Sequence, residues 1–232
     1  MPESKSVKAK FASFIYSKFS PVIWKEFSEL RYWKRRKLAE GKLSNKHYEY
    51  FYTAHFGVDR SYYEGKTILD IGCGPRGSLE WADMAARRIG VDPLAEKYLE
   101  LGASEHKMEY LASGSERVSV AAMSCDAVFS FNSLDHVENV GKTLAEIKRI
   151  TKKGGFFLLL VEVNHQPTAC EPHFLTAENL VEQLQPQFVC EKLDFYEVGD
   201  DGIYDSIRRS QPMENEKSFR EPCYLSAMFR RV

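Results

Sequence analysis

Lys66-Thr-Ile-Leu-Asp-Ile-Gly-Cys-Gly-Pro-Arg-Gly77 decides how the rest of the chain is read. Thr67–Ile71 is apolar and β-branched over the length of a strand and too short for a helix. Asp70 stands at its end, and glycines follow at Gly72, Gly74 and Gly77. The next run, Ser78-Leu-Glu-Trp-Ala-Asp-Met-Ala-Ala86, reads as a helix. A tight glycine turn between a strand and a helix lets a ligand approach the backbone closely.

The glycines satisfy the dinucleotide fingerprint G-x-G-x-x-G, and Asp92 ends the next strand-like run at the distance that fingerprint asks of its acid. Two residues speak against a pyrophosphate. The Asp70 carboxylate would repel it, and Pro75 removes one N–H from the cradle. A ligand with an ammonium and a sulfonium is instead drawn to Asp70, and S-adenosylmethionine is such a ligand. Its ribose offers two hydroxyls to the two oxygens of Asp92.

Outward from this stretch, strand and helix signals alternate, which predicts a mostly parallel sheet covered on both faces. The expected strands are Thr67–Ile71, Arg88–Asp92, Met108–Ala112, Ala127–Asn132 and Gly155–Val163, with two more near Phe188–Glu197 and Cys223–Arg230. The expected helices are Ser78–Ala86, Leu94–Leu101, Val140–Ile150 and Thr176–Leu184, the last with Thr176 as its N-cap. Gly199–Lys217 reads as a long polar loop with one short helix.

The first 60 residues precede this core and read as a helical extension or lid, with residues 61–232 as the ligand-binding domain. Apolar residues at near-helical spacing mark Lys8–Phe19, and Val22–Glu40 follows as a second helix with a basic end and Gly41 behind it. Ser44–Phe56 is rich in aromatics. Tyr48 and Tyr52 share one helix face there and could close over a sulfonium, a contact worth about 0.5–2 kcal/mol. Ordinary packing accounts for them equally well.

The 232 residues carry 44% hydrophobic and 28% charged side chains, ordinary values for a globular chain. The net charge of −1 conceals an asymmetry, because residues 1–46 hold 12 Lys/Arg against 4 Asp/Glu and the remainder holds 20 against 29. The basic end suits an anionic surface, or is a solvated helix face. Peripheral membrane contact is possible but not favoured, since the same face can pack on the protein or on a second copy in a homodimer. No apolar run reaches 18 residues and no signal peptide is visible. The five scattered cysteines include no C-x-x-C pair, which argues against structural zinc and for reduced thiols in a cytoplasmic protein.

Taken in order, Ile68-Leu-Asp-Ile-Gly-Cys-Gly74, Gly90-Val-Asp-Pro93, Asp126-Ala-Val-Phe-Ser-Phe-Asn-Ser-Leu-Asp-His-Val137 and Ile147-Lys-Arg-Ile-Thr-Lys-Lys-Gly-Gly-Phe-Phe-Leu-Leu-Leu160 resemble a class I S-adenosylmethionine-dependent methyltransferase. The resemblance covers roughly residues 64–165. It implies an α/β, doubly wound Rossmann-like sheet of seven strands, mostly parallel with the last antiparallel. It places the cofactor against Asp70, Gly72, Cys73, Gly74, Gly77, Asp92, Pro93, Ser113 and Asn132. An acid often meets the adenine near the third strand end; Ser113, Ser115 and then Glu116 stand there instead.

Two strand ends remain for the acceptor. After the fourth come Asp135 and His136. After the fifth comes Glu162-Val-Asn-His-Gln-Pro-Thr-Ala-Cys-Glu-Pro-His173, where Glu162, Asn164 and His173 are candidate substrate contacts. His136 and His165 are the candidate bases, each with a purely structural alternative. His165, Glu171 and His173 do not have the spacing of a helical ligand pair, so no metal is expected.

Methyl transfer from a sulfonium needs alignment first. Positioning supplies about 7–11 kcal/mol and a general base about 3–5 kcal/mol. O-methylation of a small molecule or a glycan hydroxyl is the favoured reaction. The Asn/Asp-Pro-Pro-Tyr mark of base methylation is missing, and a nucleic acid is not favoured as partner. RNA methylation, a catalytically silent binding protein of the same fold and a nicotinamide oxidoreductase are the alternatives.

Overall fold

The computed structural model describes residues 21–213 and 221–232. The expected helix at Lys8–Phe19 lies outside these residues. The chain divides into two units, Met1–Lys42 and Leu43–Val232. The first contributes helix α1, Pro21–Glu40, on which the Trp33 indole donates to Glu29 at 2.7 Å and Arg36 pairs with Glu40 at 2.7 Å.

The second unit is built on seven strands: β1 (Thr67–Ile71), β2 (Arg87–Val91), β3 (Glu109–Leu111), β4 (Cys125–Phe131), β5 (Thr151–Val163), β6 (Phe188–Glu197) and β7 (Cys223–Arg231). They lie in the order β3-β2-β1-β4-β5-β7-β6. The first five are parallel, and β7 runs antiparallel between β5 and β6. The helices are α2 (Tyr48–Tyr52), α3 (Ala95–Glu100), α4 (Val140–Ile150), α5 (Ala177–Leu184) and α6 (Ile203–Arg209). The expected doubly wound sheet with an antiparallel last strand is therefore what the chain forms. Asn139 caps α4 by accepting from Lys142 N, and Thr176 caps α5 by accepting from Asn179 N.

Strand alternation sorts the core onto two faces. Leu69, Ile71, Val128, Phe157, Leu159 and Val161 join α4 and α5 on one face. Ile68, Ala127, Phe129, Phe131, Phe156, Leu158 and Leu160 face the aromatic layer of Phe51, Tyr52, Phe56 and Tyr63. The same alternation turns Asp70 to the aromatic side with Ile68. A carboxylate is thus inserted into a layer of rings.

One expected element is absent. Ser78–Ala86 is not a helix but a chain of single turns, closed by Glu80 N to Gly77 O, Ala82 N to Leu79 O and Ala85 N to Ala82 O at 3.0–3.1 Å. Its carbonyls are claimed from elsewhere. Arg88 donates to Glu80 O at 3.1 Å, Arg60 to Trp81 O at 2.8 Å, and Gly65 N to Met84 O at 3.0 Å. Buried Leu79 and Ala82 supply the apolar spacing that imitates a helix. Ser44–Phe56 is also shorter than expected, α2 being followed by a 3₁₀ turn at Ala54–Phe56.

Candidate active site

In a parallel sheet the strands end along one edge, and ligands lie beyond it. At the first end, Gly72, Gly74 and Gly77 have φ of +70°, +57° and +68°, the left-handed region that suits glycine. A side chain at Gly72 would also collide with Ser133, whose Cβ lies 2.3 Å from the position a Cβ would take. Ser133 follows β4 and donates to Ile71 O at 2.7 Å, tying the turn after β1 to the turn after β4.

Asp70 is 2% exposed. Its Oδ2 accepts from the Tyr52 hydroxyl at 2.9 Å and from the Ser78 hydroxyl, and its Oδ1 has no hydrogen-bond partner. Burial pushes the carboxyl up to about 7, against the downward pull of the Ser78 and Tyr52 hydroxyls, with Asp92 adding a smaller push. Asp92 is also buried. Its Oδ1 accepts from Leu94 N at 2.9 Å and its Oδ2 from Gly74 N at 3.3 Å, so it holds both the glycine turn and the entry to α3.

Around these acids the other expected contacts take distinct places. Cys73 is buried, and burial raises its thiol pKa well above the usual range. It packs so closely on Gly90 that a Cβ there would sit 2.6 Å from its sulfur. Pro93 is exposed. Ser113 keeps a buried, unpartnered Oγ, whereas Ser115 bonds Thr143 at 2.7 Å and Glu116 accepts from Asn139 N at 2.9 Å. Asn132 is exposed, with φ +53°, at the turn after β4. Tyr48 is buried against Tyr52 and Tyr204 at centroid distances of 6.2 and 5.6 Å.

The residues expected on the acceptor side also come together. Asp135 and His136 lie in a 3₁₀ turn, Leu134–His136, directly after β4. His136 Nε2 is 3.9 Å from Asp135 Oδ1 and 3.8 Å from Glu171 Oε1. Burial raises the Asp135 carboxyl, with His136 opposing it. Burial also raises Glu162, which interacts with His165, Glu171 and Asp135. His165 is buried and its Nδ1 bonds Gln166 O at 3.0 Å. Two candidates serve the backbone instead: His173 Nε2 donates to Val137 O at 2.7 Å, and Asn164, with φ +62°, donates to Glu221 O at 3.2 Å.

Sequence reasoning passed over Ser78, Ser133, Tyr204 and Tyr224. Ser78 directly follows Gly77, and a hydroxyl at that point beside an acid was a usable signal. Nothing local marks Tyr224, whose phenol feels Glu162, Glu171 and Asp135 from the adjoining strand.

Four side chains at this edge carry buried polar atoms without partners: Asp70 Oδ1, Ser113 Oγ, Asp135 Oδ1 and His165 Nε2. Buried polar groups are nearly always paired, so such a gathering marks a ligand surface. A cofactor with an ammonium and ribose hydroxyls fits the donor and acceptor set at Asp70, Asp92 and Ser113.

Comparison with known proteins agrees. A family model described as a methyltransferase domain matches residues 69–159. Sterol 4-C-methyltransferase strm-1 of Caenorhabditis elegans is 29% identical over 127 residues, covering 50% of this chain and 38% of that protein. The chain spans less than two-fifths of the length of the curated relatives it matches. An S-adenosylmethionine-dependent methyltransferase from Mesorhizobium loti superposes with a TM-score of 0.58 at 19% identity, over 73% of this chain and 92% of that one. A geranyl diphosphate methyltransferase in complex with S-adenosylmethionine gives 0.55 at 17%, over 77% and 82%. These structures share the fold. Residues 69–159 match the methyltransferase-domain family, and the chain has the fold and motif order of class I S-adenosylmethionine-dependent methyltransferases.

Proposed function

We propose that this chain methylates an oxygen of a small molecule, a metabolite or a glycan hydroxyl, using S-adenosylmethionine. The observation that carries the cofactor end is Asp70: a buried carboxyl held near neutrality, with one oxygen committed to two hydroxyls and the other open. Such a group gains by meeting a cation, which returns it to the carboxylate form. Asp92 would hold the ribose hydroxyls and Ser113 would meet the base. The bound cofactor supplies an electrophilic methyl on a sulfonium.

At the acceptor end, His136 Nε2 lies between two carboxylates that offset positive charge on the ring as it takes a proton from an acceptor hydroxyl. His165 Nε2 is the second candidate for that proton. Glu162, Asn164 and His173 edge the same side, and His173 acts there through the backbone it holds. The cysteines form no disulfides, in keeping with a reducing compartment such as the cytoplasm. Among the described residues no helix is long and apolar enough to cross a membrane.

The test is calorimetric titration with S-adenosylmethionine, followed by mass spectrometry of candidate acceptor pools for a methyl-mass gain that needs both protein and cofactor. Binding with a methylated hydroxyl product supports the proposal. Absence of binding favours a silent protein of this fold, and a methylated nitrogen or carbon overturns the O-methyl assignment. His136→Ala and His165→Ala should lower turnover by about 10²–10⁴-fold where the ring is the base, with cofactor affinity kept.

A further inference from the structure

The spacing of His165, Glu171 and His173 along the chain gives no metal set, but the fold assembles a different one. Asp135, His136 and Glu171 each present one ligand atom, and the three atoms lie within 4.8 Å of one another. The two separations from His136 Nε2, 3.9 and 3.8 Å, are too long for hydrogen bonds. They leave room for an ion between the atoms: ligands held at about 2.1 Å by a tetrahedral ion lie about 3.4 Å apart, so a small inward movement of the side chains closes the set.

Two buried atoms point independently to a missing partner. Asp135 is 2% exposed, and its Oδ1, the atom facing His136, has no hydrogen bond. Leaving a buried acceptor unsatisfied costs about 1–3 kcal/mol, and more for a charged group. His165 is 7% exposed. Its Nδ1–H is given to Gln166 O, which leaves Nε2 with a bare lone pair and no partner. His165 interacts electrostatically with Asp135 and Glu162, the buried and half-buried carboxylates of this same cluster.

We propose that Asp135, His136 and Glu171 bind a divalent transition-metal cation at the carboxyl ends of β4 and β5. Carboxylates suit Mn²⁺ and Mg²⁺ while imidazoles suit Zn²⁺ and Fe²⁺, so a set of two carboxylates and one imidazole favours the first-row ions over Mg²⁺ or Ca²⁺. The binding stands without the methyl-transfer reading. The cation's role rests on that reading: it would sit where an acceptor oxygen arrives and hold that oxygen, and with the ion on His136 the proton goes to His165, the second candidate base.

The experiment uses the full chain, stripped with a chelator and titrated with Mn²⁺ while free Mn²⁺ is followed by electron paramagnetic resonance. One saturable Mn²⁺ per chain, displaced by Zn²⁺ and weakened at least tenfold in Asp135→Asn and Glu171→Gln, supports the site. Glu171 is partly exposed, so Glu171→Gln keeps the test decisive should Asp135→Asn fail to fold. No saturable binding to the unmodified chain, or equal binding by a folded variant, overturns it. Calorimetry with S-adenosylmethionine on the same stripped sample reports on the methyltransferase reading by itself.

Discussion

Asp70 concentrates the physics of this protein in one side chain. Its folded pKa of about 7 stands above the ordinary 3.8, so between those values the folded state holds a proton that the unfolded chain has released. Stability contributed by this group is therefore complete below about pH 4, falls as pH rises toward 7, and is flat beyond. Three units correspond to a span on the order of 4 kcal/mol. Melting curves without cofactor should show the wild type losing more stability between pH 5 and pH 8 than Asp70→Asn does; parallel curves would remove the claim. Cofactor affinity should rise over the same interval in the wild type, as the carboxylate becomes available, and stay level in Asp70→Asn. Asp92→Ala should weaken cofactor binding by about 1.5–3 kcal/mol through lost charged hydrogen bonds. It should also lower the melting temperature, because Gly74 N and Leu94 N lose their acceptor. Unchanged affinity would take Asp92 out of the site.

At the level of elements, the turn after β1 and the turn after β4 are one interlocked piece. Gly72→Ala forces a left-handed backbone, at about 1–2 kcal/mol, and drives a methyl into Ser133. Chemical denaturation should show a loss beyond the backbone cost alone. Ser133→Gly in the same chain should recover the steric share and leave the backbone share. If the double variant is no better than the single one, the two turns are not coupled as described. This scale is also where the sequence misleads. Ser78–Ala86 has helical apolar spacing, yet Arg60, Arg88 and Gly65 take its carbonyls, and those donors come from other parts of the chain. β1, in contrast, is found at the residues its pattern indicates, because a β-branched apolar run buried on both faces needs no outside information.

For the molecule as a whole, the unit Leu43–Val232 contains both hydrophobic clusters and every residue of the candidate site. A chain beginning at Leu43 should keep a single cooperative thermal transition within about 4 °C of the full chain, as a change below roughly 1 kcal/mol allows. A broad or markedly lowered transition would place residues 1–42 in the stabilising core. Removing residues 43–60 as well should abolish folding, since Phe51 and Tyr52 are almost fully buried in the aromatic layer.

Strand positions, the glycine turn and the two acids at its flanks were legible in the linear chain, because each depends on local pattern: alternation, backbone freedom, and an acid at a strand's end. The proximity of Glu171 to Asp135 and His136, the insertion of the Tyr52 and Ser78 hydroxyls at Asp70, and the lone pair left bare on His165 were decided by tertiary structure alone. Groups distant in the chain acquire a common electrostatic environment only when the sheet brings its carboxyl ends to one edge and burial strips away the water that would otherwise have satisfied each of them separately.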